Sequence, residues 1–206
     1  NDPQLLALVN EAMANNPDLK VAAARIEQAS AIVTAAGGSL WPNVVAYGRT
    51  GGKLSDGSGL TGGGLSVNWE VDLWGRVRSQ RAAATAQYDS TVADLAWARQ
   101  SLAAGVARAW YLAIEAQQQR KLAEQSVVAT QNLIKLEETR KRVGNTDGTA
   151  VSTAREALAA RQDSVEQLKL AETQAQRALE LLLGRYPAAE LAVAGSLPAM
   201  PEAVPA

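Results

Sequence analysis

The sequence predicts a mainly α chain in which long antiparallel helices pair as a coiled coil and one β-hairpin of membrane-crossing length interrupts them. Three observations carry this. The first is a change of hydrophobic period between Leu65 and Gln80. Leu65, Val67, Trp69, Val71 and Leu73 alternate with Ser66, Asn68, Glu70 and Asp72, and after Gly75 the period is that of a helix. The second is the stretch Arg76 to Val143, which holds no proline and only one glycine, Gly105. It reads as one helix of about 68 residues, roughly 100 Å long at 1.5 Å per residue. The third is a heptad pattern on that stretch and another on the segment after it. A strand with one apolar and one charged face, feeding a very long helix, is what a membrane-spanning β-segment on a helical stalk looks like.

Composition narrows the function classes. The 206 residues suffice for one sizeable core, but the 47% hydrophobic content is mostly alanine and lacks phenylalanine, which favours close helix packing over a bulky globular interior. A net charge of -1, with no basic run interleaved with aromatics, excludes nucleic acid as a partner. Without cysteine or histidine, disulfides, thiol nucleophiles, thiolate metal sites and the usual general base all drop out. No cofactor, metal site or catalytic residue is assigned. The best catalytic candidates would be Glu70 and Asp72, but side chains two apart on a strand sit roughly 6 to 7 Å apart and nothing converges on them. No stretch of about 18 apolar residues provides a transmembrane helix, and the chain opens at Asn1 without a signal peptide, so any export signal has been removed.

In chain order, residues 1–40 form a first helical region. Asp2 to Asn15 is a short amphipathic helix with Leu5 and Leu8 on its buried face. Asn16-Pro17 then starts a second one, Asn as cap and Pro at the first position, which runs to Gly37-Gly38 and Pro42. Residues 41–74 form the hairpin, with strands of about ten residues, the length a tilted strand needs to cross a bilayer. Val45, Tyr47 and Arg49 alternate in its first strand, and Gly51 to Gly64 is a flexible connection that lacks the Gly-Lys-Ser/Thr of a phosphate loop. Because the hairpin begins at Trp41 and ends at Trp74, the two tryptophans fall at the same end, as an aromatic girdle requires. The long helix, 75–143, carries Tyr88, Val92, Leu95, Arg99, Leu102, Val106, Ala109 and Ala113 at four-three spacing, with Arg99 the exception within the seam. A turn at 144–149 follows. Thr149 can then cap a returning helix over 150–183, with Val151, Ala154, Leu158, Arg161, Val165, Leu168, Glu172, Ala175, Leu179 and Leu182 at heptad spacing. That helix is half as long as its partner. The first helical region supplies the missing length if the two stack end to end and break near Pro17 and near Gly184. Residues 184–206, rich in Pro and Ala, read as an extended strap or linker.

Trp69-Glu70-Val71-Asp72-Leu73-Trp74-Gly75-Arg76 resembles the Trp-Glu-hydrophobic-Asp-hydrophobic-aromatic-Gly-Arg signature of the outer-membrane factors, efflux channels of the TolC and NodT type. Leu181-Leu182-Leu183-Gly184-Arg185-Tyr186-Pro187-Ala188-Ala189-Glu190-Leu191 resembles the segment that closes the first repeat in the NodT branch. The resemblance implies helices that form part of an α-barrel and a hairpin that contributes to an outer-membrane β-barrel. It further implies a trimer of two-repeat chains in the Gram-negative outer membrane, extending into the periplasm and working with a periplasmic adaptor protein and an inner-membrane efflux pump. In that scheme Leu65, Val67, Trp69, Val71 and Leu73 face lipid, Asn68, Glu70 and Asp72 face a water-filled lumen, and Trp41 and Trp74 sit in the girdle. Val143, Gly144, Asn145, Thr146, Asp147, Gly148 and Thr149 form the tip that meets the adaptor. Val143-Gly144 and Val151 fit the family's tip pattern, whereas Ala150 stands where an aspartate is usual. The sequence holds one repeat where family members carry two, lacks the lipid-anchor cysteine and supplies no gate residues. The alternative reading from the residues is a soluble helical-hairpin periplasmic adaptor or scaffold whose hairpin packs on another domain.

Overall fold

The computed structural model describes residues 2–50, 61–145, 148–193 and 197. Its elements run α1 (Pro3–Asn15), α2 (Pro17–Gly38), β1 (Asn43–Thr50), β2 (Thr61–Asn68), α3 (Arg76–Arg142) and α4 (Gly148–Leu182). The fold is mainly helical with one antiparallel hairpin, and no helix among the described residues is long and apolar enough to cross a membrane. The chain divides into two compact units, residues 18–98 and the combination of 1–17 with 99–206.

In the unit built from 1–17 and 99–206, α1 starts because Asp2 accepts hydrogen bonds from the backbone N–H of Gln4 (2.8 Å) and Leu5 (3.4 Å), with Pro3 fixing the first turn. Its Leu8 and Ala12 pack with Val106, Trp110, Ala113 and Ile114 of α3, with Leu179 of α4, and with Leu183 and Val193 beyond it. Trp110 and Ile114 are fully buried yet lie beside the four-three seam rather than on it, so the buried face of α3 is wider than a strict coiled-coil stripe. On α4 the heptad reading places the buried Val151, Ala154, Val165 and Leu179. Its two polar seam positions both find partners on α3: Arg161 donates to the Ser126 hydroxyl, and Glu172 accepts from Arg120, which also binds Glu124 at 2.7 Å. Arg155 and Glu138 form a third cross-helix tie at 2.8 Å.

The α1–α2 break falls beside the end of α4. The backbone N–H of Asn16 donates to the Ala12 carbonyl, and its side-chain amide donates to the Leu182 carbonyl at 3.0 Å. Gly184, at φ +75°, closes α4: its N–H reaches the Leu181 carbonyl while the Arg185 N–H reaches that of Glu180, the paired bonds of a Schellman cap. The same pair closes α3, through Gly144 (φ +78°) to Lys141 and Asn145 to Arg140. The returning helix begins at Gly148, which sets Thr149 inside its first turn rather than ahead of it.

In the 18–98 unit the hairpin register pairs Asn43 with Asn68, Val44 with Val67, Ala46 with Leu65 and Tyr47 with Gly64. Facing partners share a face, so Val44 and Ala46 join Leu65 and Val67, while Val45 and Tyr47 lie with Ser66 and Gly64. The Tyr47 ring covers Gly64, where a β-carbon would stand 2.7 Å from the tyrosine oxygen. Each strand has eight residues instead of about ten, and Thr61 to Gly64, expected in the connection, belong to β2. Residues 51–60 of that connection lie outside the described residues. Arg99, first residue of the other unit and the exception in the α3 seam, is exposed.

Candidate functional site: the strand-to-helix corner

The expected second strand continued to Leu73, but β2 ends at Asn68. Trp69, Glu70, Val71, Asp72 and Leu73 therefore do not belong to the strand, although their alternation continues its pattern. The reason lies in where the polar side chains bond. Asp72 is taken up by the start of α3, its carboxylate accepting from the backbone N–H of Val77 (3.2 Å) and Arg78 (3.0 Å) and from Arg78 Nε (3.2 Å), as an acid at a helix N-terminus does. Only 9% of its side chain is exposed, so it is a cap within the corner. Glu70 grips Arg76 through both oxygens, with Arg76 Nε at 3.0 Å from Oε1, and Arg76 also reaches Gln80 at 3.1 Å. Gly75 takes φ +76° between the two, a conformation that costs an L side chain strain. The Trp69 indole N–H donates to the Leu40 carbonyl at 3.1 Å, tying the turn after α2 to the far side of the hairpin base. The eight-residue signature is thus a corner that locks strand to helix.

The apolar side chains expected on one face are strongly exposed, from 54% for Val71 to 73% for Leu65, and Val44 joins them at 59%. Asn68 ends β2 opposite Asn43. Trp41 and Trp74 both lie past that last pair, at the open end of the hairpin, 74% and 87% exposed. An open cleft of about 660 Å3 beside Trp41 is lined also by Asn43, Trp69 and Glu70 among others. At the opposite end of α3, Val143 is 71% exposed and Gly144 and Asn145 form the helix cap described above. Gly148 and Thr149 open α4, and Thr146 and Asp147 lie outside the described residues. Among the described residues no group of three or more acidic side chains is placed to hold a metal ion.

A second polar cluster escaped the sequence reading. Glu180, 2% exposed, accepts three backbone N–H bonds from the strap, from Ala189 (2.7 Å), Glu190 (2.8 Å) and Leu191 (3.0 Å). Burial alone would push its carboxyl up, but these three N–H groups and the Arg185 charge hold it below its ordinary value. Arg185 itself is gripped by Glu11 of α1. Held by Glu180, Ala189 adopts φ +60°. As one of four glutamates in an alanine-rich helix, Glu180 carries no sequence mark of such a role.

Comparison with known proteins gives one architecture throughout. The profile of the family described as "Outer membrane efflux protein" matches residues 8–185. The pyoverdine export outer membrane protein OpmQ of Pseudomonas aeruginosa is 29% identical over 192 residues, covering 86% of this chain and 40% of that protein. The cation efflux system protein CusC of an Escherichia coli strain is 26% identical over 190 residues, covering 90% and 41%. Among solved structures, the outer-membrane channel OprN superposes with a TM-score of 0.83 at 30% identity, over 99% of this chain and 48% of that one. The chain thus spans about two fifths of these curated relatives and half of the solved channel.

Proposed function

This chain belongs to the outer membrane efflux protein family, and from that membership we propose that it is one repeat of a passive duct across the Gram-negative outer membrane and periplasm. The observation that carries the reading is the bare apolar face of the hairpin: Leu65, Val67 and Val44, at 73%, 63% and 59% exposure, have no cover among the described residues, and lipid is a cover for a strand face of this kind. Trp41 and Trp74 then stand at one headgroup level. Lumen contact belongs to Asn68 and to Glu70, whose ion pair with Arg76 is half exposed, while Asp72 serves the corner. Val71, Leu73 and Trp69, past the strand, lie at the membrane boundary.

The helices need neighbours too. Leu112, Leu122, Val128 and Leu170 are all more than half exposed on α3 and α4, which suits packing against further repeats in a helical barrel. In this reading three two-repeat chains form the duct, the turn around Gly144 meets a periplasmic adaptor, and an inner-membrane pump supplies the cargo. No residue performs chemistry. The relatives' names specify two unlike cargoes, pyoverdine and cations, so selection belongs upstream of a wide passage that conducts small solutes. Planar-bilayer recordings of the assembled oligomer test this: steady conductance is expected, and an inserted assembly that passes no ions overturns it.

A further inference from the structure

We infer that the cleft between Leu40 and the first turns of α3 binds the phosphate of an anionic phospholipid. The inference rests on the reading of the hairpin as the membrane segment. The cleft holds about 530 Å3, with Leu40, Ala82 and Ala86 as its apolar wall, Arg78 and Arg81 as its cations, and Asp89 at its far end. From Arg76 to Tyr88 the helix carries three arginines and no acid. Two of the three are answered, Arg76 by Glu70 and Arg78 by Asp72. Arg81 is not: among the described residues its guanidinium makes no ion pair. Nor does it hang free, since its side chain runs past Gly37 at the end of α2, with Nε, Cδ and Cζ 3.6 to 3.9 Å from where a β-carbon would stand.

Position selects the ligand. Leu40, one wall of the cleft, receives the Trp69 indole through its carbonyl, and its neighbour Trp41 is exposed, so the cleft opens at the level where tryptophans mark the lipid headgroups. A guanidinium fork matches a phosphate with two parallel hydrogen bonds. The apolar wall has no use for a free ion but fits the glycerol and first methylenes of a lipid. Asp89 lies eight residues from Arg81, roughly 12 Å along the axis, beyond the screening length of about 8 Å at physiological salt, so it does not cancel the site.

The test is quenching of tryptophan fluorescence by brominated lipids, on the chain reconstituted in phosphatidylcholine vesicles. Brominated phosphatidylglycerol should quench at a lower mole fraction than brominated phosphatidylcholine, by about fivefold for one arginine's contribution. Arg81→Gln should abolish that preference while phosphatidylcholine still quenches, and Asp89→Asn, which leaves both arginines, should leave it unchanged. Equal quenching by the two lipids, or a preference that survives Arg81→Gln, overturns the site while leaving the membrane reading intact. Displacement of the glycerol lipid by millimolar inorganic phosphate but not by sulfate would overturn it in favour of a soluble phosphate ligand. Absence of quenching by either lipid would remove the membrane reading and the site with it.

Discussion

Gly75 and Gly184 share a positive φ, +76° and +75°, yet a methyl group would fare differently at each. At Gly75 the nearest atom is an Arg78 nitrogen 4.0 Å away, so Gly75→Ala pays only for backbone strain, about 1–2 kcal/mol. At Gly184 the new carbon would stand 2.8 Å from the Asn15 carbonyl oxygen, and a backbone atom cannot swing aside. Gly184→Ala should therefore add an overpacking cost of about 1–3 kcal/mol to the same strain. Urea unfolding of the two variants side by side checks this, and equal losses would mean that the α1 end yields. Glu180 gives a second expectation at this scale. Its folded carboxyl lies below the value of 4.5 it has when unfolded. The stability it contributes is thus fully present above that unfolded value and is lost as pH falls through the folded one. Glu180→Gln presents an amide NH2 to N–H donors and should cost about 1–3 kcal/mol at pH 7. The difference between wild type and variant should then shrink as melting curves are taken below pH 4.5; a difference constant down to pH 2 would show that the carboxylate charge is not what holds the strap.

At the scale of elements, the register between α3 and α4 is fixed by polar pairs set into an alanine-rich seam that by itself tolerates sliding. Arg120 and Glu172 have side chains only 23% and 12% exposed, so removing one leaves the other poorly solvated and unpaired. Arg120→Met and Glu172→Leu should each destabilise, while the double variant recovers part of the loss, giving a coupling of about 1–3 kcal/mol in a double-mutant cycle. Additive losses would reduce the pair to a surface contact. The same pair marks how far the sequence could be read. Arg161 and Glu172 are visible as polar interruptions of a heptad, but their partners Ser126 and Arg120 are fixed only by the alignment of two antiparallel helices. Helix ends at Gly144 and Gly184 were legible because glycine there takes the positive φ that closes a helix. The end of β2 was not, because Glu70 and Asp72 extend the strand alternation perfectly while their carboxylates belong to Arg76 and to the N-terminus of α3, a bond pattern with no period. Trp110, among the largest buried side chains, went unmarked because it lies beside the seam.

At the scale of the whole molecule, the hairpin is an unfinished object. Among the described residues its two strands pair only with each other, which leaves an unpaired edge on each, and within hydrocarbon every unmatched N–H and C=O costs several kcal/mol. Closure of a barrel is the arrangement that removes both edges. Eight strands make a barrel just wide enough to be filled by side chains, so a water-filled lumen needs more, and more than four hairpins of this kind must come together. The proposed trimer of two-repeat chains would meet that demand with six hairpins. Six repeats of 21.6 kDa correspond to about 130 kDa of protein in a closed cyclic assembly. Light scattering with detergent mass subtracted should find a particle of about that protein mass or its two-repeat equivalent, stable only while detergent or lipid covers the band of Leu65, Val67 and Val44. A monodisperse single chain that keeps its hairpin in plain buffer would show that the strand edges and the apolar face are satisfied without partners. The duct reading would then give way to a soluble scaffold.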